Sequence, residues 1–138
     1  MTRLDRHSHV WPLVLAIGFV MSATAGCSAP GSSNPGPETT NGEELFALKA
    51  IGGSAGCVTC HSLSPGHVLV GPSLAGLGEL AGERVEGMTA DQYLRHSIVA
   101  PADHIVGTFD PDKMPSNYGE VLSDEQLDAL VTYLKEAP

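Results

Sequence analysis

Positive charge is scarce in this chain. Lys and Arg number 7 against 16 Asp plus Glu, a formal net charge of −9 over 138 residues. Phosphate backbones are gripped by clustered Lys and Arg, so this balance argues against a nucleic-acid partner. Aromatic residues make up only 5% of the chain, and a core built from protein alone would be lean. The single tryptophan, Trp11, lies near the N-terminus. There are 3 cysteines, Cys27, Cys57 and Cys60, and an odd count argues against a simple disulfide scaffold. No run alternates apolar and polar residues convincingly, so no strand is expected. The length is below the usual size for two domains.

What is present begins with export grammar. Met1 to His9 carries Arg3 and Arg6, an apolar run follows from Val10 through Met21, and small residues lead to Ala25-Gly26-Cys27. These are the charged, apolar and cleavage regions of a signal segment. Three readings compete. Ala25-Gly26-Cys27 resembles the box that precedes the lipidated cysteine of bacterial lipoproteins, although Thr24 stands where that box usually has an aliphatic residue. Ala23-Thr24-Ala25 alternatively fits ordinary cleavage, which would leave Cys27 an exposed free thiol. An uncleaved anchor is the third, since no Asp, Glu, Lys or Arg occurs between Arg6 and Glu38 and about 20 apolar residues span a bilayer. Pro12 and the Ser, Thr and Gly content after Met21 weaken the anchor. We expect a lipoprotein signal over 1–26, with Cys27 lipidated and the domain held at the extracytoplasmic face of the cell membrane.

Residues 27–40 read as the lipidated cysteine and a flexible linker. From 28 to 40, eight of 13 residues are Ser, Pro or Gly, a composition that reaches roughly 43 Å at about 3.3 Å per residue. The folded part is expected over 41–138. Without residues 1–26, five bases face fifteen acids, a net charge of −10. A domain this small often needs a staple, a metal or a cofactor. Asn41 is a candidate N-cap for a helix through about Ile51, with Glu43 and Glu44 at its positive end. Thr89-Ala90-Asp91-Gln92 is a capping box opening a helix to about Val99, stopped by Pro101. Ser123-Asp124-Glu125-Gln126 is a second capping box. Leu127, Leu130, Val131 and Leu134 then recur at i, i+3, i+4 and i+7 as one apolar stripe. The class expected is all-α.

The chemistry is carried by Cys57-Val58-Thr59-Cys60-His61. This is C-x-x-C-H, the attachment signature of c-type haem. Two thiols three positions apart can add to both vinyl groups of one porphyrin, and the adjacent imidazole reaches the iron from the same side. A redox C-x-x-C would sit at a helix start in an α/β pattern that this chain lacks. A zinc site would need further Cys or His at ligand spacing, and Cys27 lies across the linker.

With these residues in view, the domain resembles a monohaem class I cytochrome c over nearly all of 41–138. The resemblance implies a small fold of three main helices and loops wrapped around one covalently bound haem c. Gly42 and Phe46 on the first helix resemble the family's contact with its last helix, where Leu130 and Tyr133 supply the other side. Gly71-Pro72-Ser73-Leu74-Ala75-Gly76 resembles G-P-x-L-x-G, whose Pro carbonyl accepts the proximal His Nδ1 proton. This implies a pairing of Pro72 with His61. Lys113-Met114-Pro115 resembles the family's Met-Pro before the last helix, which makes Met114 the implied second axial ligand. Met88, His67, His96 and His104 are its rivals, with His104 the foremost. Tyr93 resembles a tyrosine on the Met side of the haem, or is ordinary helix packing. Arg84, in a Gly-flanked loop, is a candidate propionate partner or a solvated charge. The family's common propionate-side Trp is missing. Phe46 stands 11 residues before Cys57 rather than the usual four, so a looped insertion is expected over 50–56.

The resulting expectation is a membrane-tethered electron carrier, not an enzyme. Its partners would be redox proteins, and the organisation resembles lipid-anchored monohaem subunits of respiratory complexes such as alternative complex III. The rival is a haem enzyme or gas- or peroxide-reactive sensor with an open sixth coordination position. The acidic balance favours a basic or largely apolar partner surface.

Overall fold

The computed structural model describes residues 36–138. The expectations for the signal over 1–26, for lipidated Cys27 and for the linker through 35 lie outside the described residues. Five α-helices and one small hairpin make up the described fold, joined by long loops. The three expected helices are present, and two short ones join them.

Helix α1 (Gly42–Ala47) starts where Asn41 caps it, the Asn41 side chain accepting from the Glu44 N–H at 3.0 Å. It ends earlier than expected. Leu48 is already extended, and the chain enters an antiparallel hairpin of β1 (Ala50–Ile51) and β2 (Ser54–Ala55). Gly52 and Gly53 turn the hairpin with φ of 55° and 83°, a region that glycine enters without the usual Cβ penalty. Ile51 is only 1% exposed. Burying it in the hairpin outweighs the weak preference of the segment to continue the helix. This hairpin is the form the looped insertion takes, and its strands are too short for alternation to register.

Helix α2 (Leu77–Leu80) and helix α4 (Tyr118–Val121) have four residues each. Helix α3 (Ala90–Val99) and helix α5 (Asp124–Glu136) both open on complete capping boxes, Thr89 with Gln92 and Ser123 with Gln126. The four apolar stripe residues of α5 are all buried. Gln126 does more than close its box. Its side-chain amide donates to the carbonyls of Pro37 and Thr39 at 2.6 and 2.9 Å, so the packed domain extends N-terminal to Asn41.

The core centres on the crossing of α1 and α5. A Cβ on Gly42 would lie 2.2 Å from the Ala129 carbonyl oxygen and 2.7 Å from the Tyr133 Cβ, so only glycine permits this approach. One turn on, the Phe46 and Tyr133 rings pack at a centroid distance of 5.8 Å. Leu45 and Leu130, at 0% and 1% exposed, fill the space beneath. Arg95 bridges α3 to Asp124 and Asp128 of α5, and Lys135 pairs with Asp91. These are surface pairs, each a small stabilising term.

Candidate functional site

A helical turn winds the C-x-x-C-H segment. Cys57–Thr59 forms a single 3-10 turn. The Cys60 and His61 N–H groups both donate to the Cys57 carbonyl, at 3.1 and 2.9 Å. This winding brings Cys57, Cys60 and His61 to one crevice, while Val58 and Thr59 do not line it. Thr59 instead ties the turn down, its hydroxyl donating to the Gly56 carbonyl at 2.6 Å.

The His61 ring is fixed from behind. Its Nδ1 lies 2.9 Å from the Pro72 carbonyl oxygen. Burial holds this imidazole below its ordinary value of 6.5, with the Pro72 carbonyl opposing the shift. A neutral ring facing a carbonyl must carry its proton on Nδ1, which leaves the Nε2 lone pair free. Gly71 makes room for the ring, since a Cβ there would lie 2.5 Å from the His61 Cε1. The Gly71 N–H in turn donates to the Cys60 carbonyl at 2.9 Å. The loop that supplies Pro72 is thus clamped to the motif it serves.

The Cys57 thiol is unsuited to thiolate chemistry. Burial pushes Cys57 up to about 11, partly offset by its own backbone hydrogen bond and raised further by Cys60. Reactive cysteines and metal-binding thiolates need the opposite shift. Among the described residues, no cluster of three or more His, Cys, Asp or Glu could hold a metal ion.

Met114 and Tyr93 line the same crevice as His61. Met114 is partly buried against the core, and Tyr93 is 4% exposed. The rivals separate. Met88 and His96 line a different, shallow depression beside Gln92 and Arg95. His67 is exposed, and its Nδ1 is 3.2 Å from the Ser62 hydroxyl. Only His104 shares the crevice with Met114. Its ring lies 5.1 Å from that of His96 and 6.4 Å from that of Tyr93, centroid to centroid. Arg84 reaches the crevice rim, exposed and with no carboxylate paired to it among the described residues.

Tyr118 and Ser97 are among the crevice residues that sequence reasoning missed. Tyr118 is buried, its hydroxyl donating to the Ala55 carbonyl at 2.5 Å, and burial pushes it up to about 12. Its bond joins α4 to the hairpin, a contact 63 residues apart that no local pattern reports. Ser97 presents a buried hydroxyl with no partner among the described residues. Its spacing of four from Tyr93 is the one signal that could have found it.

The family model for cytochrome c matches residues 39–138. The chain belongs to the cytochrome c family. No curated protein matches it. As a cytochrome c it is an electron-transfer haem protein that binds haem c covalently. Cytochrome c domains are typically extracytoplasmic. Among the described residues, no helix is long and apolar enough to cross a membrane. The residues present suit the group. Two thiols and a neutral imidazole open on one crevice whose walls are largely apolar side chains, and one buried hydroxyl there has no partner among the described residues.

Proposed function

We propose that this cytochrome c is a membrane-tethered carrier of single electrons, with Cys57 and Cys60 bonded to the haem and His61 and Met114 as axial ligands. The observation that carries the reading is the His61 Nδ1 to Pro72 carbonyl contact of 2.9 Å, with Met114 lining the same crevice. Haem c supplies a one-electron couple whose ferrous form a thioether ligand favours, which raises the potential.

The chain's own residues set the conditions for that couple. Pro72 holds the His61 proton on Nδ1 and so presents Nε2 as donor, and the same contact raises ligand basicity. Tyr93, Leu94 and Ile98 of α3 line the crevice and keep water from it, and a poorly solvated site disfavours the additional charge of the oxidised state. Arg84 is proposed to face a propionate from the rim. Cys27 is proposed as the lipid anchor, with the linker giving the domain reach. The partners are proposed to be redox subunits of a membrane respiratory or photosynthetic complex.

Met114→Ala tests the ligation. The variant should keep its haem and lose the near-infrared sulfur-to-iron charge-transfer band of the ferric state. A band that survives Met114→Ala, one that disappears only in Met88→Ala, or a ferric wild type that lacks the band contradicts the assignment.

A further inference from the structure

Gln126 is a buried polar side chain, only 6% exposed. Its Oε1 accepts from the Ser123 N–H at 2.9 Å and closes the capping box of α5. Its Nε2 donates to the Pro37 and Thr39 carbonyls at 2.6 and 2.9 Å. A capping box takes Glu or Gln at this position, and Glu has the advantage beside the positive end of a helix. A carboxylate, however, has no proton to give to a carbonyl. Glutamine is needed here because two carbonyls of the preceding chain stand against it.

Residues 36–39 are held from further sides. The Thr39 hydroxyl donates to the Glu44 carboxylate of α1 at 2.6 Å and accepts from the Asn41 N–H at 3.1 Å. A Cβ on Gly36 would lie 2.2 Å from the Val121 carbonyl oxygen, so the chain lies directly on α4. The hairpin inserted before Cys57 braces α4 in turn. The Ser54 hydroxyl donates to the Asn117 side-chain oxygen at 2.9 Å, and the Tyr118 hydroxyl to the Ala55 carbonyl at 2.5 Å. Val121 packs on the hairpin turn, where a Cβ on Gly52 would lie 2.6 Å from its side chain.

We propose that residues 36–39 are a seated strap, which fixes where the membrane tether joins the domain and shortens its reach, and that the inserted hairpin braces the seat. This rests on the proposed lipid anchor at Cys27 and adds its geometry. Nine residue steps separate Cys27 from Gly36. They reach at most roughly 30 Å at about 3.3 Å per step, against roughly 43 Å for a linker free to residue 40. The tether therefore joins the domain beside α4, where Tyr118 and the adjoining Leu122 line the haem crevice. The partner is a redox protein of the same membrane that a domain held within this shorter reach can meet.

Glu38 is the first glutamate of the chain, so a glutamyl endopeptidase that cuts after it frees the domain from its tether. The test treats membranes carrying the full-length holoprotein with this protease, follows haem in the supernatant and identifies the released fragment by mass. A seated backbone is cut only after local opening. Wild type should release the fragment beginning at Thr39 slowly. Gln126→Glu, which keeps the capping box but loses both donors, should release it at least tenfold faster, with an unchanged haem spectrum. Gly36→Ala, which touches only the strap, should do the same. Equal rates in all three proteins overturn the seat. Deletions within residues 28–35 test the reach, read as turnover of the haem band by the same membranes. The released variants should tolerate deletions about four residues longer than wild type does, the difference between residues 36 and 40. Turnover that tolerates the same deletions with and without the seat overturns the claim on reach. Haem in the supernatant before protease is added would contradict the tether itself, and the rates of cutting after Glu38 would still decide the seat.

Discussion

At the scale of single residues, the site is organised around one imidazole. His61 has a carbonyl behind it, a glycine beneath it and two thiols beside it, and each neighbour limits what the ring can do. Gly71 is the most exacting of these. A methyl group there would meet the Cε1, Nδ1 and Nε2 of His61 at 2.5, 2.9 and 3.1 Å. Gly71→Ala should therefore push the ring off the Pro72 carbonyl, at a cost of about 1–3 kcal/mol from overpacking. Denaturant unfolding and the ferric absorption spectrum should both report it, and a variant with wild-type values in both would mean that the ring lies elsewhere. The attachment motif was legible in the sequence because its chemistry requires fixed spacing. Pro72 and Met114 were legible only through resemblance, since eleven and 53 residues separate them from His61. Tyr118 and Ser97 were not legible, because their place in the crevice follows from how α3, α4 and the hairpin pack.

At the scale of elements, two of the three expected helices begin where their capping boxes predicted, and α5 buries its stripe as the 3.6-residue period requires. The first helix also starts as read but stops at Ala47. Local sequence continued it, and the burial of Ile51 in a hairpin prevailed. The helices of four residues were invisible to periodicity because they span about one turn. The α1–α5 crossing holds these parts together. Phe46→Ala removes a ring that is 5% exposed, and should destabilise the holoprotein by about 3–5 kcal/mol if the site does not collapse. The midpoint potential should move little, since Phe46 lines the crevice but is neither an attachment residue nor one of the proposed axial ligands. Denaturant titration paired with redox titration checks this. A variant as stable as wild type would show that the crossing does not depend on Phe46.

At the scale of the whole molecule, an acidic, haem-binding domain is joined to a proposed lipid anchor. Cys27 has no evident disulfide partner once Cys57 and Cys60 are bonded to haem, and Ala25-Gly26 supplies the small residues that cleavage before it needs. A single acyl chain binds membranes marginally, whereas the several chains of a bacterial lipoprotein anchor stably. Cys27→Ser should release the domain to the soluble fraction, or stall it uncleaved, with haem still attached. Mass spectrometry of the native N-terminus decides the matter, and a mature chain beginning at Gly26 or retaining Met1 would refute lipidation. The central claim is that both axial positions are filled by the protein, so that the haem passes electrons and leaves small molecules unbound. Exposure of the reduced wild-type holoprotein to carbon monoxide at neutral pH tests this most directly. The spectrum should be unchanged by the gas, and rapid conversion to a carbon monoxide adduct would contradict ligation at both positions.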